Sequence, residues 1–282
     1  MPVLKEIEEN LKSLENIETI IQVYQEVANL RMNKIRQEVL RNRRFIEDLS
    51  EVYLRVSRAY NVYFKNKKRR EKIEKKKERI VIFFSANQKY YGDLILEIFS
   101  KTVEFLKKKS SDLVIIGRIG RSLMEKTNLK VKKYYFELDD NYPEKEEIKK
   151  IVELIKNYKE IIAFHGKFHT ILSQKVTETV ISKEILEEKE RKSTKNYLFE
   201  PSPKEILEFF ERELFSGFFY HSLLEHQLAK YASRTISMFR ANENLKNVRN
   251  QLEIKKKRLI SQLFNKKQIN LFGGYHLWEK GE

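Results

Sequence analysis

Apolar residues near the start of the chain recur at intervals of three and four: Leu4, Ile7, Leu11, Leu14, Ile17, Ile21, Tyr24 and Ala28. That spacing puts one apolar stripe on a helix and turns it toward a partner helix. Neither Gly nor Pro interrupts the chain between Val3 and Tyr91, so the first 60 residues read as one helix, about 90 Å long at 1.5 Å per residue. A helix of that length cannot bury its stripe alone. The partner lies at the other end of the chain. Pro201-Ser202-Pro203 interrupts the sequence, Ser202 can cap a helix start, and Glu205 three residues on completes a capping box. Ile206, Phe210, Leu214, Leu224, Leu228, Ala232 and Ile236 then keep helical spacing, and Gly273-Gly274 reads as the stop. Two long helices at opposite ends of one chain predict an antiparallel coiled coil.

Between them the period changes. Residues 79–85 (RIVIFFS), 112–117 (DLVIIG), 131–138 (VKKYYFEL) and 160–165 (EIIAFH) read as strands, separated by amphipathic segments at 93–107 and 144–158. Short apolar strands alternating with helices predict βαβ units and a largely parallel sheet. The fold class is therefore α/β with a long coiled coil: an antiparallel shaft flanking an inserted Rossmann-like α/β domain. The divisions fall at 1–78 (first shaft helix), 79–199 (α/β domain) and 200–282 (second shaft helix and tail).

Composition narrows the chemistry. With no Cys, neither a disulfide nor a thiolate metal site can form, and a reducing cytosol is the expected home. The segment from Met1 to Ile20 has no continuous apolar stretch of the kind a secretory signal needs, and the strongest apolar run, Ile80 to Phe84, is far short of the ~20 residues of a membrane helix. The formal charge of +16 suits nucleic acid, anionic lipid or an acidic protein surface without choosing among them. Residues 65–79 hold ten Lys and Arg against three Glu, a run read as a solvated helix end or linker.

Motifs for catalysis are missing from the sequence. There is no G-x-x-x-x-G-K-[ST] phosphate loop, no H-E-x-x-H and no G-x-S-x-G. The glycine pairs Gly117/Gly120 and Gly166 with Lys167 lack the length to cradle phosphates. His165 and His169 are four apart, but a turn expected at Gly166 takes them off any common helix face, so no metal site is read there. No catalytic residue, cofactor or metal ligand is assigned.

One family shares this plan, and the residues agree in order. Leu11-Lys12-Ser13-Leu14-Glu15-Asn16 resembles the I-K-S-I-x-N near the start of the gamma subunit of F-type ATP synthases, followed without a gap by Ile20, Val27-Ala28 and Met32. Ser85 and Gly92 match its S-x-D-R-G-L-C-G-G. Gly117-Arg118-Ile119-Gly120 is similar to its G-x-K-G, and Lys167, Phe168, Ser173 and Gln174 to its N-K-F and S-Q stretch. Phe199-Glu200-Pro201-Ser202-Pro203 resembles Y-E-P-x-P, with Tyr220, Glu225, Ala232, Arg234, Met238, Ala241 and Asn244 in register after it, and Leu271-Phe272-Gly273-Gly274 resembles the closing I-V-G-G. There are departures: the glycine-rich loop is mostly lost, the family's Arg-Gln pair falls on Ile260 and Ser261, and the tail continues through Trp278.

The resemblance implies a rotor shaft without a catalytic site of its own. It implies three alpha and three beta subunits as partners, the beta subunits making or hydrolysing ATP. An epsilon-like subunit and a membrane ring, or a specialised replacement, would meet the α/β domain, with the complex on the inner face of the cell membrane. Contacts with the catalytic head are expected from Arg31, Lys34 and Arg36 on the first helix and from Lys255, Lys256, Lys257 and Arg258 on the second, against acidic loops of the beta subunits. The bland alternative for these cations is a solvated face. Tyr24 and Val27 read either as head contacts or as coiled-coil core. Leu271, Phe272 and Trp278 would sit in an apolar bearing. Two alternatives remain beside this one: the shaft of a specialised F-like motor, such as that used for gliding in cell-wall-less bacteria, and a basic coiled coil that binds nucleic acid. The second leaves the inserted domain unexplained.

Overall fold

The computed structural model describes residues 2–64, 77–181 and 203–278. The first long helix, α1 (Pro2–Phe64), is followed by β1 (Lys77–Phe84), α2 (Leu94–Lys108), β2 (Asp112–Ile116), α3 (Arg118–Glu125), β3 (Lys133–Phe136), α4 (Lys145–Ile155), β4 (Tyr158–Phe168) and β5 (Gln174–Val180), and the second long helix, α5 (Pro203–Trp278), closes the chain. Proline is tolerated at the first helical position, where its missing N–H costs nothing, and α5 starts on Pro203. Ser202, the expected cap, lies outside the described residues, as does most of the basic run at 65–79. Only its last three residues are described, as the start of β1. The helix does not stop at Gly273-Gly274. Each glycine costs about 1 kcal/mol against alanine, but no proline follows them, and α5 continues to Trp278.

The chain divides into two compact units, Met1–Val27 with Ser237–Glu282, and Ala28–Ile236. In the first, Leu14 and Ile21 pack with Met238, Ala241 and Leu245. Arg249 sits 3.3 Å from Glu18 and Lys256 sits 2.8 Å from Glu8, so rising numbers on one helix meet falling numbers on the other. In the second unit the same antiparallel pairing joins Ala28, Met32, Ile35 and Val39 to Leu224, Leu228, Tyr231 and Ala232. Asn42 donates to the Gly217 carbonyl there at 3.4 Å, and the Tyr53 hydroxyl to Glu211 at 3.2 Å. The buried face of α1 is a strict seven-residue repeat, and it corrects the stripe read from sequence. Past Leu14 the inward positions are Glu18, Ile21, Gln25 and Ala28. Ile17 and Tyr24, one residue off, point outward.

The sheet has five strands in the order β3-β2-β1-β4-β5. The first four are parallel and β5 is antiparallel to β4. Strands covered on both faces read as continuous apolar runs, which is why β1, β2 and β4 were visible in sequence. Alternate β1 residues serve opposite faces. Ile80, Ile82 and Phe84 pack with α4 and with Phe219 and Leu223 of α5. Val81 and Phe83 pack with α2, Met124 of α3 and Ala229 of α5. Helix α5 thus contributes to both faces, which it does by crossing the ends of the strands. The edge strand β5 escaped the sequence reading because QKVTETV is polar and buries only Val176. Helix α3 escaped because it spans only Arg118–Glu125. It is launched by Gly117, whose φ of +106° and approach to the Ala86 backbone, 2.8 Å from where a Cβ would stand, admit no side chain. Strand β4 runs through Gly166 to Phe168, so the turn expected at Gly166 lies instead beyond Phe168. His165 and His169 are still apart, by roughly 13 Å along extended chain.

Candidate functional site

From Ser222 to Thr235 every residue of α5 is buried except Glu225. A surface helix shows one apolar stripe, and a helix covered all round is normally apolar all round. This stretch instead carries Ser222, His226, Gln227, Lys230, Ser233, Arg234 and Thr235 among its buried residues. Ser222 bonds to the Phe218 carbonyl of its own helix and Thr235 to Asn29 of α1, but His226, Gln227, Lys230, Ser233 and Arg234 find partners at the carboxyl ends of β1, β3 and β4, so the helix is bound to the α/β domain through polar groups.

Asp140, just past β3, is the hub. Lys230 Nζ donates to its Oδ1 at 2.5 Å, with both side chains under 5 % exposed. Its Oδ2 accepts the backbone N–H groups of Asn87 and Gln88, both at 2.9 Å, and faces the Tyr91 hydroxyl at 3.5 Å. Its carbonyl accepts from Gln227 Nε2 and the Tyr231 hydroxyl, each at 3.2 Å. A buried charge is tolerable only when paired and fully hydrogen-bonded, and this carboxylate meets both conditions. Burial pushes the Lys230 pKa down, against the pull of Asp140. Burial and the same carboxylate push Tyr91 upward, so its hydroxyl stays protonated.

The loop from Asn87 to Tyr91 is clamped in the same way. Arg234 stacks 4.0 Å above the Tyr91 ring and donates to the Lys89 carbonyl at 2.9 Å and Gln88 Oε1 at 3.1 Å. Ser233 donates to the Tyr91 carbonyl at 2.7 Å. Between these anchors Tyr90 is held at φ +71°, a strained backbone for a bulky residue. A third tie joins β1 and β4. His226 Nε2 lies 2.9 Å from the Ser85 carbonyl and must donate to it, while Nδ1 accepts the Gly166 N–H at 3.3 Å. That pair of partners fixes a neutral ring in one tautomer, and burial holds its pKa well below the ordinary value. Gly166 allows the approach: a Cβ there would stand 2.9 Å from Ala229 Cβ.

The carboxyl ends of parallel strands form the crevice where open α/β sheets bind ligands. Here α5 occupies it. The space left among Ser85, Gly117, Asp139, Asp140, His226 and Lys230 is about 10 Å³, room for about one water. The arrangement fits a rigid joint between helix and sheet, and its volume cannot hold a nucleotide.

The residues singled out from sequence lie elsewhere and are not gathered into one place. Tyr24 and Val27, 39 % and 42 % exposed, face outward on α1 beside Ile17, Ile20 and Val23. Lys255, Lys257 and Arg258 are exposed on α5, whereas Lys256 is paired with Glu8. In the other unit Arg31 and Lys34 lie 4.5 and 4.9 Å from the Tyr142 ring centre, engaged in cation–π contacts within the chain, while Arg36 is exposed. Leu271 is exposed, and the side chains of Phe272 and Trp278 lie outside the described residues. Sequence reasoning missed Asp140, His226 and Lys230. The available signal was a cation and an imidazole inside the run Leu223–Ala232, where a simple two-helix seam leaves the opposite face to solvent.

A protein-family model described as ATP synthase matches residues 3–259. Among curated relatives, the ATP synthase gamma chain of Glaesserella parasuis is 24 % identical over 264 residues, covering 89 % of this chain and 90 % of its own length. That of Dictyoglomus thermophilum is 23 % identical over 261 residues, covering 89 % of each. Among solved structures, a chain of the Euglena gracilis mitochondrial ATP synthase (OSCP/F1/c-ring, rotational state 3) superposes with a TM-score of 0.66 at 14 % identity, covering 99 % of this chain and 96 % of that one. A chain of the Tetrahymena thermophila central stalk and c-ring gives 0.57 at 16 % identity, covering 79 % and 99 %. At that identity the structural likeness speaks to the fold: two long helices around an inserted sheet.

Proposed function

The chain belongs to the ATP synthase family, and on that premise we propose that it works as a gamma chain, the central rotor shaft of an F-type head. The observation that carries this reading is that the family match takes in both long helices and the inserted sheet, residues 3–259. Neither the gliding variant nor the nucleic-acid reading draws support from the relatives.

In this role the chain performs no chemistry. The beta subunits of a head of three alpha and three beta subunits would make or hydrolyse ATP, and the shaft couples their sites by presenting a different face to each. Two unlike helices supply that asymmetry. The outward Ile17, Ile20, Val23, Tyr24 and Val27 of α1 offer an apolar surface to the bore, and Lys255, Lys257 and Arg258 offer charge to acidic loops. The end of α5, with Leu271, Phe272 and Trp278, would occupy the bearing. The α/β domain, residues 79–199, would meet an epsilon-like subunit and the membrane ring on the inner face of the cell membrane. No helix among the described residues is long and apolar enough to cross a membrane.

A shaft must pass torque between helix and foot without slipping. The joint at Asp140 suits that task, because a buried, fully paired charge network has one low-energy arrangement. Charge reversal at the head-facing cations tests the coupling. Lys255→Glu, Lys257→Glu and Arg258→Glu together are expected to lower the ATPase rate of the reconstituted head roughly tenfold, since close charge pairs across an interface couple by ~1.5 kcal/mol or more. An unchanged rate would remove these residues from the coupling surface.

A further inference from the structure

The two ends of the sheet differ in charge. Strands β1 to β4 are parallel and start at the same end, and α2, α3 and α4, which return between them, finish there. The connections that arrive at that end carry nine lysines, three in 107–112, four in 126–133 and two in 156–159, against a single carboxylate, Asp112. Asp112 is already engaged: Lys77 lies 3.6 Å from it and the Tyr158 hydroxyl donates to it at 2.6 Å. All nine lysines except Lys133 are exposed, and one of them, Lys108, pairs with Glu104 in the last turns of α2 at 2.6 Å. The opposite end, with Asp139 and Asp140, is the one α5 closes.

We propose that this lysine-rich end of the sheet is a docking surface for anionic phospholipid headgroups. Three observations favour a lipid surface over a folded protein. The three connections contain no arginine, so they present mobile point charges and lack the planar fork that fixes a carboxylate in one geometry. None of the exposed large apolar side chains among the described residues lies in them. A stable protein interface needs such anchors at its centre and is depleted in lysine, whereas a headgroup layer attracts lysine clusters with no apolar anchor. The surface is independent of the rotor reading, because vesicle binding is measured on the chain alone, whatever complex it joins.

The test is co-sedimentation of the full chain with phosphatidylglycerol or phosphatidylcholine vesicles at low and high salt. The expected result is binding to the anionic vesicles only, released by salt. K107Q/K108Q/K109Q should weaken it about 100-fold, from ~5-fold per lysine near an anionic surface, and K126Q/K130Q/K159Q comparably. The control K255Q/K257Q/R258Q removes the same charge from α5 and should change affinity less than ~5-fold. These are exposed substitutions, and circular dichroism identifies any variant that fails to fold. Equal weakening by the control would assign the attraction to net charge and overturn the proposal. So would absence of binding to phosphatidylglycerol, or single-stranded RNA that binds through the same lysines and displaces the vesicles.

Discussion

Replacing Lys230 by methionine is expected to destabilise the chain by about 3–5 kcal/mol, the cost of leaving one member of a buried ion pair without the other. The stem of the side chain is kept, so the loss is chiefly electrostatic. Asp140 would retain the N–H groups of Asn87 and Gln88 but would lose the cation in direct contact with it, in a site sealed by α5. The second substitution separates pairing from packing. Asp140→Asn on the Lys230→Met background removes the orphaned charge while its Oδ1 can still accept the two N–H groups. The double variant should therefore recover roughly 2 kcal/mol or more of the loss. Urea unfolding of the four proteins in the cycle measures this. A loss below about 1 kcal/mol for Lys230→Met, the range of solvated surface pairs, would mean that water reaches the joint and that it is not the rigid connection described. In the assembled complex the same variant should uncouple the inserted domain from the helix while the helix still turns.

Acid is expected to loosen the same joint before most of the molecule responds. His165 is buried, and burial lowers its pKa to about 4, against a hydrogen bond that its Nδ1–H donates to the Gly166 carbonyl, which pulls the other way. Its Nε2 contacts Thr179 Oγ1 at 2.8 Å. Since the unfolded ring titrates near 6.5, the unfolded chain binds more protons between pH 6.5 and 4. Stability is therefore fully present above pH 6.5 and falls as pH drops toward 4, by about 3 kcal/mol for this residue. His226 adds in the same direction, because burial first, and then the nearby Lys230 and His165, disfavour its charge. Protonation at Nδ1 would also set an N–H against the Gly166 N–H that now donates there, which breaks the tie between β4 and α5. The urea midpoint should be markedly lower at pH 4.5 than at pH 7. A His165→Gln variant should lose part of that slope, which distinguishes the histidines from surface carboxylates that titrate in the same range. A midpoint that does not move between these pH values would show that neither imidazole is held neutral.

The two long helices were legible because their apolar periods run for many turns and tolerate a local error. Ile17 and Tyr24 were read into the seam because they are apolar and about three and four residues from their neighbours, yet the seam passes through Glu18 and Gln25. Polar seam positions are invisible to a search for apolar spacing. Strands β1, β2 and β4 were legible as buried apolar runs, while β5 was not, since an edge strand with one buried valine leaves no such trace. The joint was the least legible part. Asp139-Asp140 after a strand looks like an ordinary turn, and Lys230 looks like a solvated cation. Only the crossing of α5 over the strand ends brings them together, and that is a property of the tertiary arrangement. The same crossing explains the polar residues in the most buried stretch of α5, which a two-helix coil alone would leave facing water.

The most direct test of the rotor reading is the native mass and subunit composition of the complex that co-purifies with this chain. One copy of the chain with three copies each of two P-loop subunits is the predicted result, with membrane-ring subunits present where the membrane is retained. The chain recovered alone, or with nucleic acid in place of a head, would contradict it.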